Sequence, residues 1–337
     1  MNSLSQTSSP LVDTFGRHHN NLRISITDRC NIRCFYCMPE HDPVFIKRDQ
    51  ILSYEEIVRF VGIAARLGIN KVRLTGGEPL VRRNLPALVG QIQAIPQIED
   101  LALTTNGLLL LEHAEKLFDA GLRRLNVHLD TLNAEKFRTI TRRDGVDRVV
   151  RAILLCKELG FGPIKINAVA VKGMIEDDIV PLVQFGRENG VEVRFIEFMP
   201  LDADGNWKRD EVLPAEDVLD ILSNGIGPLH AMTEQDPSAP ASDYVFDDGV
   251  GRVGIIASVS NPFCMSCNRI RLTSDGKLRN CLFANEEIDV RSLLRSESDD
   301  EAIVSAIQAS IQSKKEGHEI NMSRFQPPQR PMYAIGG

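Results

Sequence analysis

The stretch Cys30-Asn-Ile-Arg-Cys34-Phe-Tyr-Cys37 places three cysteines within eight residues. Thiolates at this spacing are soft ligands, which suit an iron–sulfur cluster, zinc or Cu(I). A structural zinc site is usually closed by four protein ligands, and His41 could supply the fourth. Three free buried cysteines are another alternative, although such cysteines usually occur as scattered small hydrophobes. A 4Fe–4S cluster fits three cysteines best, because it leaves one iron open to a small molecule.

The same stretch resembles the signature of the radical S-adenosylmethionine (SAM) enzymes, in which an aromatic residue precedes the last cysteine, as Tyr36 does here. The resemblance implies that Cys30, Cys34 and Cys37 hold a 4Fe–4S cluster whose open iron binds SAM. It also implies that Tyr36 lies near the adenine. In that family an electron from the cluster cleaves SAM to methionine and a 5′-deoxyadenosyl radical, which takes a hydrogen atom from the substrate.

The composition is that of an ordinary globular chain. It has 337 residues, of which 43% are hydrophobic and 25% charged, enough for a sizeable core. No apolar run approaches the roughly 20 residues that span a bilayer, and the polar N-terminal segment shows no secretory signal. The net charge of −7 argues against general binding to nucleic acid or a membrane surface. Seven cysteines without an export signal favour a reducing, cytoplasmic compartment.

Strand and helix patterns alternate between residues 22 and 199. A capping box at Ser53 and Glu56 begins one helix. The predicted strands are 22–27, 71–74, 100–105, 124–129, 164–171 and 191–198, and further helices are predicted at 110–120, 147–159 and 176–188. Six strand-and-helix units with short connections predict an α/β fold with a parallel sheet. Six are too few for a closed eightfold barrel, so we expect an open, partial TIM-like barrel with its site at the carboxyl ends of the strands.

The alternation of strand and helix patterns ends after Leu201. A short helix is predicted from Pro214, and a hairpin from 244–246 and 252–257. We therefore predict a flexible arm at 1–13, a partial-barrel core at 14–235, and a C-terminal region at 236–337.

Several motifs stand at predicted strand ends. Gly76-Gly77-Glu78-Pro79 alone fits an ordinary turn, although glycine also lets a ligand approach the backbone. The radical SAM resemblance implies that Gly77 holds the amino end of SAM. It places His128 and Met199 at SAM as well, although the family usually has Ser at the position of His128. For His128 the alternatives are a polar substitution that still offers a hydrogen bond to SAM, or metal ligation by a lone histidine; for Met199 the alternative is core packing.

Cys264, Cys267 and Cys281 form a second thiol set. The spacing resembles half of a zinc ribbon, but a second iron–sulfur cluster with an open iron is the better interpretation. The remaining cysteine, Cys156, lies on an apolar helical pattern and is predicted to be a core residue.

The run from Phe263 to Cys281 resembles that of the GTP 3′,8-cyclases of molybdenum cofactor biosynthesis. Matching segments begin at Arg73, Thr104 and Thr141, and the similarity extends over residues 14–337. It implies two 4Fe–4S clusters, the second of which binds guanine. The substrate contacts that it implies are Arg23, Arg73, Thr104, Lys165, Arg269, Ile270 through its backbone, and Arg271. If the segment is extended, alternation puts Arg269 and Arg271 on one side.

The resemblance also implies an activity and partners. GTP would lose its 3′ hydrogen atom and become (8S)-3′,8-cyclo-7,8-dihydroguanosine 5′-triphosphate, which passes to cyclic pyranopterin monophosphate synthase. A flavodoxin- or ferredoxin-like electron donor, a homodimer and entry of the Gly336-Gly337 tail into the active site are expected. A radical SAM enzyme acting on a peptide, or a zinc-stabilised binding module, are the alternatives.

Overall fold

The computed structural model of the protein describes residues 10–296 and 299–337. Residues 1–9, most of the predicted N-terminal arm, lie outside the described residues. The end of that arm belongs to the fold, because Leu11 is buried and Val12 pairs with His18 in an isolated β-bridge. Within the described ranges, no helix is long and apolar enough to cross a membrane.

Twelve strands of the described residues form one sheet. They are β1 (Asn21–Ser25), β2 (Lys71–Thr75), β3 (Asp100–Thr105), β4 (Arg124–His128), β5 (Ile164–Ala170), β6 (Glu192–Glu197), β7 (Leu229–Ala231), β8 (Ser242–Phe246), β9 (Arg252–Ile256), β10 (Arg269–Leu272), β11 (Lys277–Arg279) and β12 (Ile288–Asp289). Their order across the sheet is β12-β11-β10-β1-β2-β3-β4-β5-β6-β9-β8-β7. The two outer strands of this order do not pair with each other, so the sheet is open.

The helices of the described residues are α1 (Tyr54–Arg66), α2 (Leu85–Gln93), α3 (Leu110–Asp119), α4 (Ala134–Thr141), α5 (Val146–Glu158), α6 (Glu176–Asn189), α7 (Ala215–Gly225), α8 (Val290–Arg295), α9 (Asp300–Gln312) and α10 (Met332–Ile335). The capping box of α1 is confirmed: the Ser53 amide donates to Glu56 Oε2 at 2.6 Å, and the Glu56 amide donates to Ser53 Oγ at 3.2 Å. The sequence did not single out α2, α4 and the three C-terminal helices, several of which are short.

Strands β1 to β6 run parallel in chain order, as the repeated pattern predicts. Their carboxyl ends therefore meet at one edge of the sheet. The first cysteine loop follows β1 there, and the double glycine follows β2. The open α/β fold is confirmed.

The C-terminal residues extend both edges of this parallel core. β10 pairs in parallel with β1, and β9 pairs in parallel with β6. β9 also forms the predicted antiparallel hairpin with β8. Because these strands join the same sheet, the parallel run has eight strands where the sequence predicted six. The segment that carries the second thiol set is thereby placed beside β1.

One large hydrophobic core lies between the sheet and the helices and extends from Leu11 to Ile311. It includes residues from both predicted domains, whose boundary at 235/236 stays a prediction. A smaller cluster joins Leu201, Val259, Phe283 and Ile335. Burial of Ile335 in that cluster fixes the chain just before its terminal glycines.

Candidate active site

The first cysteine loop lines one cavity at the carboxyl edge of the sheet. Cys30, Cys34 and Cys37 all line the same cavity. The Cys37 and Met38 amides both donate to the Cys34 carbonyl at 3.0 Å, which folds the loop on itself. Burial raises the pKa of Cys30 to about 12, and nearby Glu78 adds to that shift. This shift opposes the free thiolate, so it is the convergence of three thiols on one cavity that suits an iron centre, because metal ligation replaces the proton and stabilises the thiolate.

His41 does not join the three cysteines. Its side chain is 84% exposed and lies 3.8 Å from the Glu40 carboxylate. His41 is also not among the described residues that line the cysteine cavity. The arrangement of the loop therefore fits three thiolate ligands, which matches a cluster with one open iron better than a zinc site closed by this histidine.

The double glycine lets the turn after β2 pack against the cysteine loop. An ideal Cβ on Gly77 would lie 2.5 Å from the Arg29 carbonyl oxygen. The Gly77 amide donates to the Thr27 carbonyl at 2.7 Å, and the Glu78 amide to the Arg29 carbonyl at 2.8 Å. Any side chain at Gly77 would separate these two backbones, so glycine is required here by close approach.

Glu78 orients a residue that reaches the first thiol set. The carboxylate is fully buried and accepts from Thr105 Oγ1 at 2.7 Å and from the Asn106 amide at 2.6 Å. Burial raises the pKa of Glu78 to about 7. The Asn106 side-chain amide in turn donates to Cys30 Sγ at 3.7 Å and to Asn31 Oδ1 at 2.8 Å. The donor on this thiol is therefore a neutral amide.

Tyr36 and His128 meet at the side of the cavity, around a buried carboxylate. Tyr36 Oη lies 2.5 Å from His128 Nε2 and donates to Asp130 Oδ2 at 2.5 Å. Burial alone would lower the pKa of His128, but the Asp130 carboxylate 3.1 Å away raises it well above its ordinary value. Asp130 also accepts from the Val169 amide at 2.7 Å. The side chain at position 128 is thus held against Tyr36 and still lines the cavity.

A second cavity adjoins the first and contains the second thiol set. Thr104, Asn167, Met199 and Gly337 line both cavities, so the two are neighbours. The second cavity is lined by five arginines together with Cys264, Cys267 and Cys281; the arginines are Arg23, Arg73, Arg194, Arg269 and Arg271. This is the concentration of positive charge that an anionic substrate needs in an acidic protein.

Three of these arginines form a row across adjacent strands. Arg23 on β1 is the direct register partner of Arg73 on β2 and of Arg271 on β10. Burial, and then repulsion between the arginines, lowers the pKa of Arg23 well below its ordinary value, and Arg271 behaves alike. Like charges directly opposite each other destabilise a sheet. Among the described residues, buried Arg23 Nε also has no hydrogen-bond partner. These features fit a bound polyanion that supplies acceptors and neutralises the row.

Within the described residues, two of the predicted substrate contacts, Lys165 and Ile270, do not line the cavity that contains the arginines. Lys165 is not among the described residues lining either cavity, and its ammonium lies 2.9 Å from a Glu192 carboxylate oxygen. Ile270 is fully buried in the core between Arg269 and Arg271, so only its backbone could face a ligand. β10 is extended, as the alternation of Arg269 and Arg271 requires.

The chain terminus lies where the two cavities meet. The Gly336 carbonyl accepts from the Arg271 guanidinium at 2.9 Å, and the Gly337 carbonyl accepts from the Thr75 hydroxyl. Gly336 has a φ of +95°, and an ideal Cβ there would lie 2.6 Å from Ser25 Cβ. Only glycine fits this conformation and this space.

The β10–β11 hairpin brings the second thiol set together. Arg271 pairs with Arg279 across the hairpin, so Cys267 before β10 and Cys281 after β11 lie at the same end. Two cations donate to Cys267 Sγ: the Arg269 guanidinium at 3.4 Å and the Lys314 ammonium at 3.6 Å. Burial acts to raise the pKa of Cys267, but these cations lower it to about 6. A thiolate is therefore favoured, as metal ligation requires.

The N-terminal segment, residues 13–19, contacts the backbone at Cys264, the remaining cysteine of this set. Arg17 donates to the Cys264 and Glu316 carbonyls, both at 2.8 Å. Its Nε donates to Asp13 Oδ2 at 2.6 Å, and that oxygen lies 3.0 Å from His19 Nε2. The segment thus ties the loop of Cys264 to the chain that follows α9.

Comparisons with known proteins agree with this geometry. The Radical SAM superfamily model matches residues 24–186, and the Molybdenum Cofactor Synthesis C model matches residues 191–320. The GTP 3′,8-cyclase of Rhodopirellula baltica is 50% identical over 330 residues, 97% of this chain and 92% of its own. The chain belongs to the GTP 3′,8-cyclase family. It is therefore a radical SAM enzyme, with SAM and iron–sulfur chemistry.

Other members of the GTP 3′,8-cyclase family are nearly as similar. GTP 3′,8-cyclase 2 of Mycobacterium tuberculosis is 45% identical, covering 98% of this chain and 93% of its own. The GTP 3′,8-cyclase of Streptomyces coelicolor is 44% identical, covering 97% and 96%. Both matches cover at least 97% of this chain.

Solved structures show the same fold. Streptococcus suis SuiB bound to S-adenosylmethionine has a TM-score of 0.64 at 16% identity, covering 93% of this chain and 76% of its own. Native anSMEcpe with bound AdoMet has a TM-score of 0.55 at 18% identity, covering 88% and 85%. At these identities the likeness concerns the architecture of the family alone.

Several site residues were missed by the sequence reasoning. They are Arg17, Asn167, Arg194 and Lys314. Asn167 is notable because it lines both cavities and its buried Oδ1 has no partner among the described residues. Its position two residues after Lys165 on β5 was the available signal, since alternation places both on one face.

Proposed function

We propose that this protein converts GTP to (8S)-3′,8-cyclo-7,8-dihydroguanosine 5′-triphosphate, the first step of molybdenum cofactor biosynthesis. The observation that carries the proposal is the arginine row of Arg23, Arg73 and Arg271, beside a thiol set and next to a second thiol cavity. A triphosphate matches the row, because guanidinium groups bind phosphate oxygens as bidentate donors.

In this proposal Cys30, Cys34 and Cys37 hold one 4Fe–4S cluster, and SAM occupies the first cavity. Bound there, the reduced cluster would supply the electron that cleaves SAM to a 5′-deoxyadenosyl radical. Tyr36, Gly77, His128 and Met199 are the proposed SAM contacts. Tyr36 and His128 are held rigid by Asp130, and a fixed geometry favours a reaction that depends on close approach of two molecules.

Cys264, Cys267 and Cys281 would hold a second 4Fe–4S cluster, which would supply an open iron for the guanine base. Arg269 and Lys314 keep the thiol of Cys267 deprotonated and ready for iron. The triphosphate then lies along Arg23, Arg73 and Arg271. Thr104 and the Ile270 backbone are further proposed contacts, as is Lys165, whose ammonium pairs with Glu192.

Gly336 and Gly337 complete the site from the chain terminus. The Arg271 guanidinium donates to the Gly336 carbonyl, so this tail positions an arginine of the row. Gly337 lines both cavities, which supports a position for it between SAM and substrate. We propose that the tail orients the ribose 3′ carbon toward the first cavity and excludes water from the radical's path.

The wider setting is proposed on chemical grounds. The cleavage of SAM consumes an electron, which a flavodoxin- or ferredoxin-like protein would supply. All seven cysteines are free, which favours the reducing cytoplasm. The cyclised nucleotide would pass to cyclic pyranopterin monophosphate synthase, and the enzyme would act as a homodimer.

The decisive experiment follows one atom. The protein is reconstituted anaerobically with iron and sulfide, then given SAM, a strong reductant and GTP deuterated at the ribose 3′ carbon. Deuterium in 5′-deoxyadenosine together with a cyclised nucleotide is the expected result. 5′-Deoxyadenosine without deuterium, and without a cyclised nucleotide, would point to another substrate, such as a peptide, and would overturn the proposal.

A further inference from the structure

Lys314 is a buried cation beside the second thiol set. It follows α9 by two residues, and it is only 5% exposed. Its ammonium donates to the Arg269 carbonyl at 2.8 Å, the Asn280 carbonyl at 2.5 Å and Cys267 Sγ at 3.6 Å. These three acceptors use all three N–H groups of the ammonium.

Two other lysines with low exposure pair with carboxylates, whereas Lys314 does not do so in the described part of the chain. Lys165 pairs with Glu192, and Lys136 pairs with Asp178. Within residues 10–296 and 299–337, no carboxylate forms a hydrogen bond or ion pair with Lys314. An ammonium buried without a counter-charge is strongly unfavourable. Negative charge on the thiolates and what they bind is therefore the compensation that this site offers.

The position of Lys314 also separates it from the substrate. It lines a cavity that touches Cys264, Cys267 and Cys281 but does not include Arg23, Arg73 or Arg271 among its described residues. Arg269, the other cation at Cys267, lines the cavity assigned to GTP, so its charge is shared with the triphosphate. Lys314 can therefore interact with the thiol set alone, whether or not substrate is bound.

We propose that Lys314 is a positioning residue that stabilises the reduced form of the second cluster, by donating to Cys267 from the side away from GTP. The proposal rests on the proposed function, because it needs a cluster at Cys264, Cys267 and Cys281. Reduction adds one negative charge to a cluster, and an adjacent ammonium favours the more negative state. Hydrogen bonds to the ligand sulfurs set cluster potentials in the same direction.

The test uses the full chain with Cys30, Cys34 and Cys37 all changed to Ala, so that only the second cluster forms. A redox titration followed by electron paramagnetic resonance gives its reduction potential. Lys314→Met, which keeps the length and removes the charge, should lower the equilibrium constant for reduction about tenfold, which is about 59 mV for one electron. The matched control is Lys315→Met, because the adjacent lysine side chain is 74% exposed and points to Glu319.

A potential in Lys314→Met equal to that of Lys315→Met would overturn the proposal. If Lys314→Met binds no iron, Lys314→Gln carries the same test, because its amide can still donate to the two carbonyls without the charge. If neither neutral variant binds iron while Lys314→Arg does, Lys314 is required for assembly and the tuning role is wrong. If the triple alanine chain itself takes up no iron, the second cluster of the proposed function fails instead.

Discussion

Cys30 of the first thiol set and Cys267 of the second lie in different electrostatic surroundings. At the first set, the donor to Cys30 is the neutral amide of Asn106, and burial raises the pKa of that thiol to about 12. At the second set, the cations Arg269 and Lys314 contact Cys267, whose pKa falls to about 6. Cations stabilise added electrons and neutral groups do so less. The surroundings of Cys267 therefore favour added negative charge more than those of Cys30, whereas at Cys34 of the first set the neighbouring group is His128, whose pKa is raised by Asp130.

The largest expected effect separates the two sets by loss of a ligand. Cys34→Ala should abolish formation of 5′-deoxyadenosine, because the first set is the one proposed to hold the cluster that reduces SAM. Cys281→Ala should keep some SAM cleavage and lose the cyclised nucleotide, since only substrate binding depends on that thiol. Mass spectrometry of both products measures the difference. Cys156→Ala is the control, because this fully buried thiol lies on α5 in the core and should leave both products unchanged. Identical loss in Cys34→Ala and Cys281→Ala would refute the division of labour.

The next effect concerns the charge that adjoins the second set. Arg23→Met should weaken GTP binding about 100-fold, the scale of one charged hydrogen bond lost from a buried phosphate. It should not lower the melting temperature of the GTP-free protein, because repulsion from Arg73 and Arg271 is relieved. Equilibrium binding and thermal unfolding measure the two quantities. Arg138→Met provides the control, since Arg138 is exposed and pairs with Asp144. A lower melting temperature with unchanged GTP affinity would mean that the row is structural.

A smaller effect lies where the two cavities meet. Gly336→Ala should lower turnover about tenfold, because an alanine at positive φ is strained by roughly 1–2 kcal/mol and its Cβ would contact Ser25. Iron content should stay unchanged, as both thiol sets are intact. Gly173→Ala is the matched control, because Gly173 also has positive φ, +78°, but open space around it. Equal turnover in the two variants would show that the tail does not act in the reaction.

The smallest effect tests the anchor of the second set. Burial lowers the pKa of His19 to about 4, with Lys314 adding to the shift. The unfolded chain therefore takes up a proton near pH 6.5, before the folded chain does, so stability is full above pH 6.5 and falls between pH 6.5 and 4. Between pH 7 and pH 5.5 the free energy of unfolding should fall by about 1 kcal/mol through this residue.

Denaturant titrations at the two pH values measure that change. His19→Gln should remove this part of the pH dependence, while His230→Gln should not, because His230 is exposed. The Asp13–Arg17–His19 segment holds the Cys264 carbonyl, so acid should release iron from the second set before the first. Simultaneous release from both sets would show that the anchor is not the weak point.

Much of the fold could be predicted because local sequence patterns determine the strands and helices. The spacing of apolar residues located β1 to β6, and Ser53 with Glu56 located the start of α1. The parallel pairing of β10 with β1 could not be predicted, because the pairing depends on which sheet edge is free. The same holds for β9, which reads as a hairpin partner of β8 but also pairs with β6.

The site divides in the same way. The sequence alone determined the two thiol sets, the arginines on the strands and the glycine tail, because chemistry of this kind depends on residue type and short spacing. Only the tertiary structure decided that Arg23, Arg73 and Arg271 form one row, and that Lys314 reaches Cys267 across 47 positions of sequence. Charges interact through space and at the local dielectric, so their partners follow from the packing of distant segments and not from order along the chain.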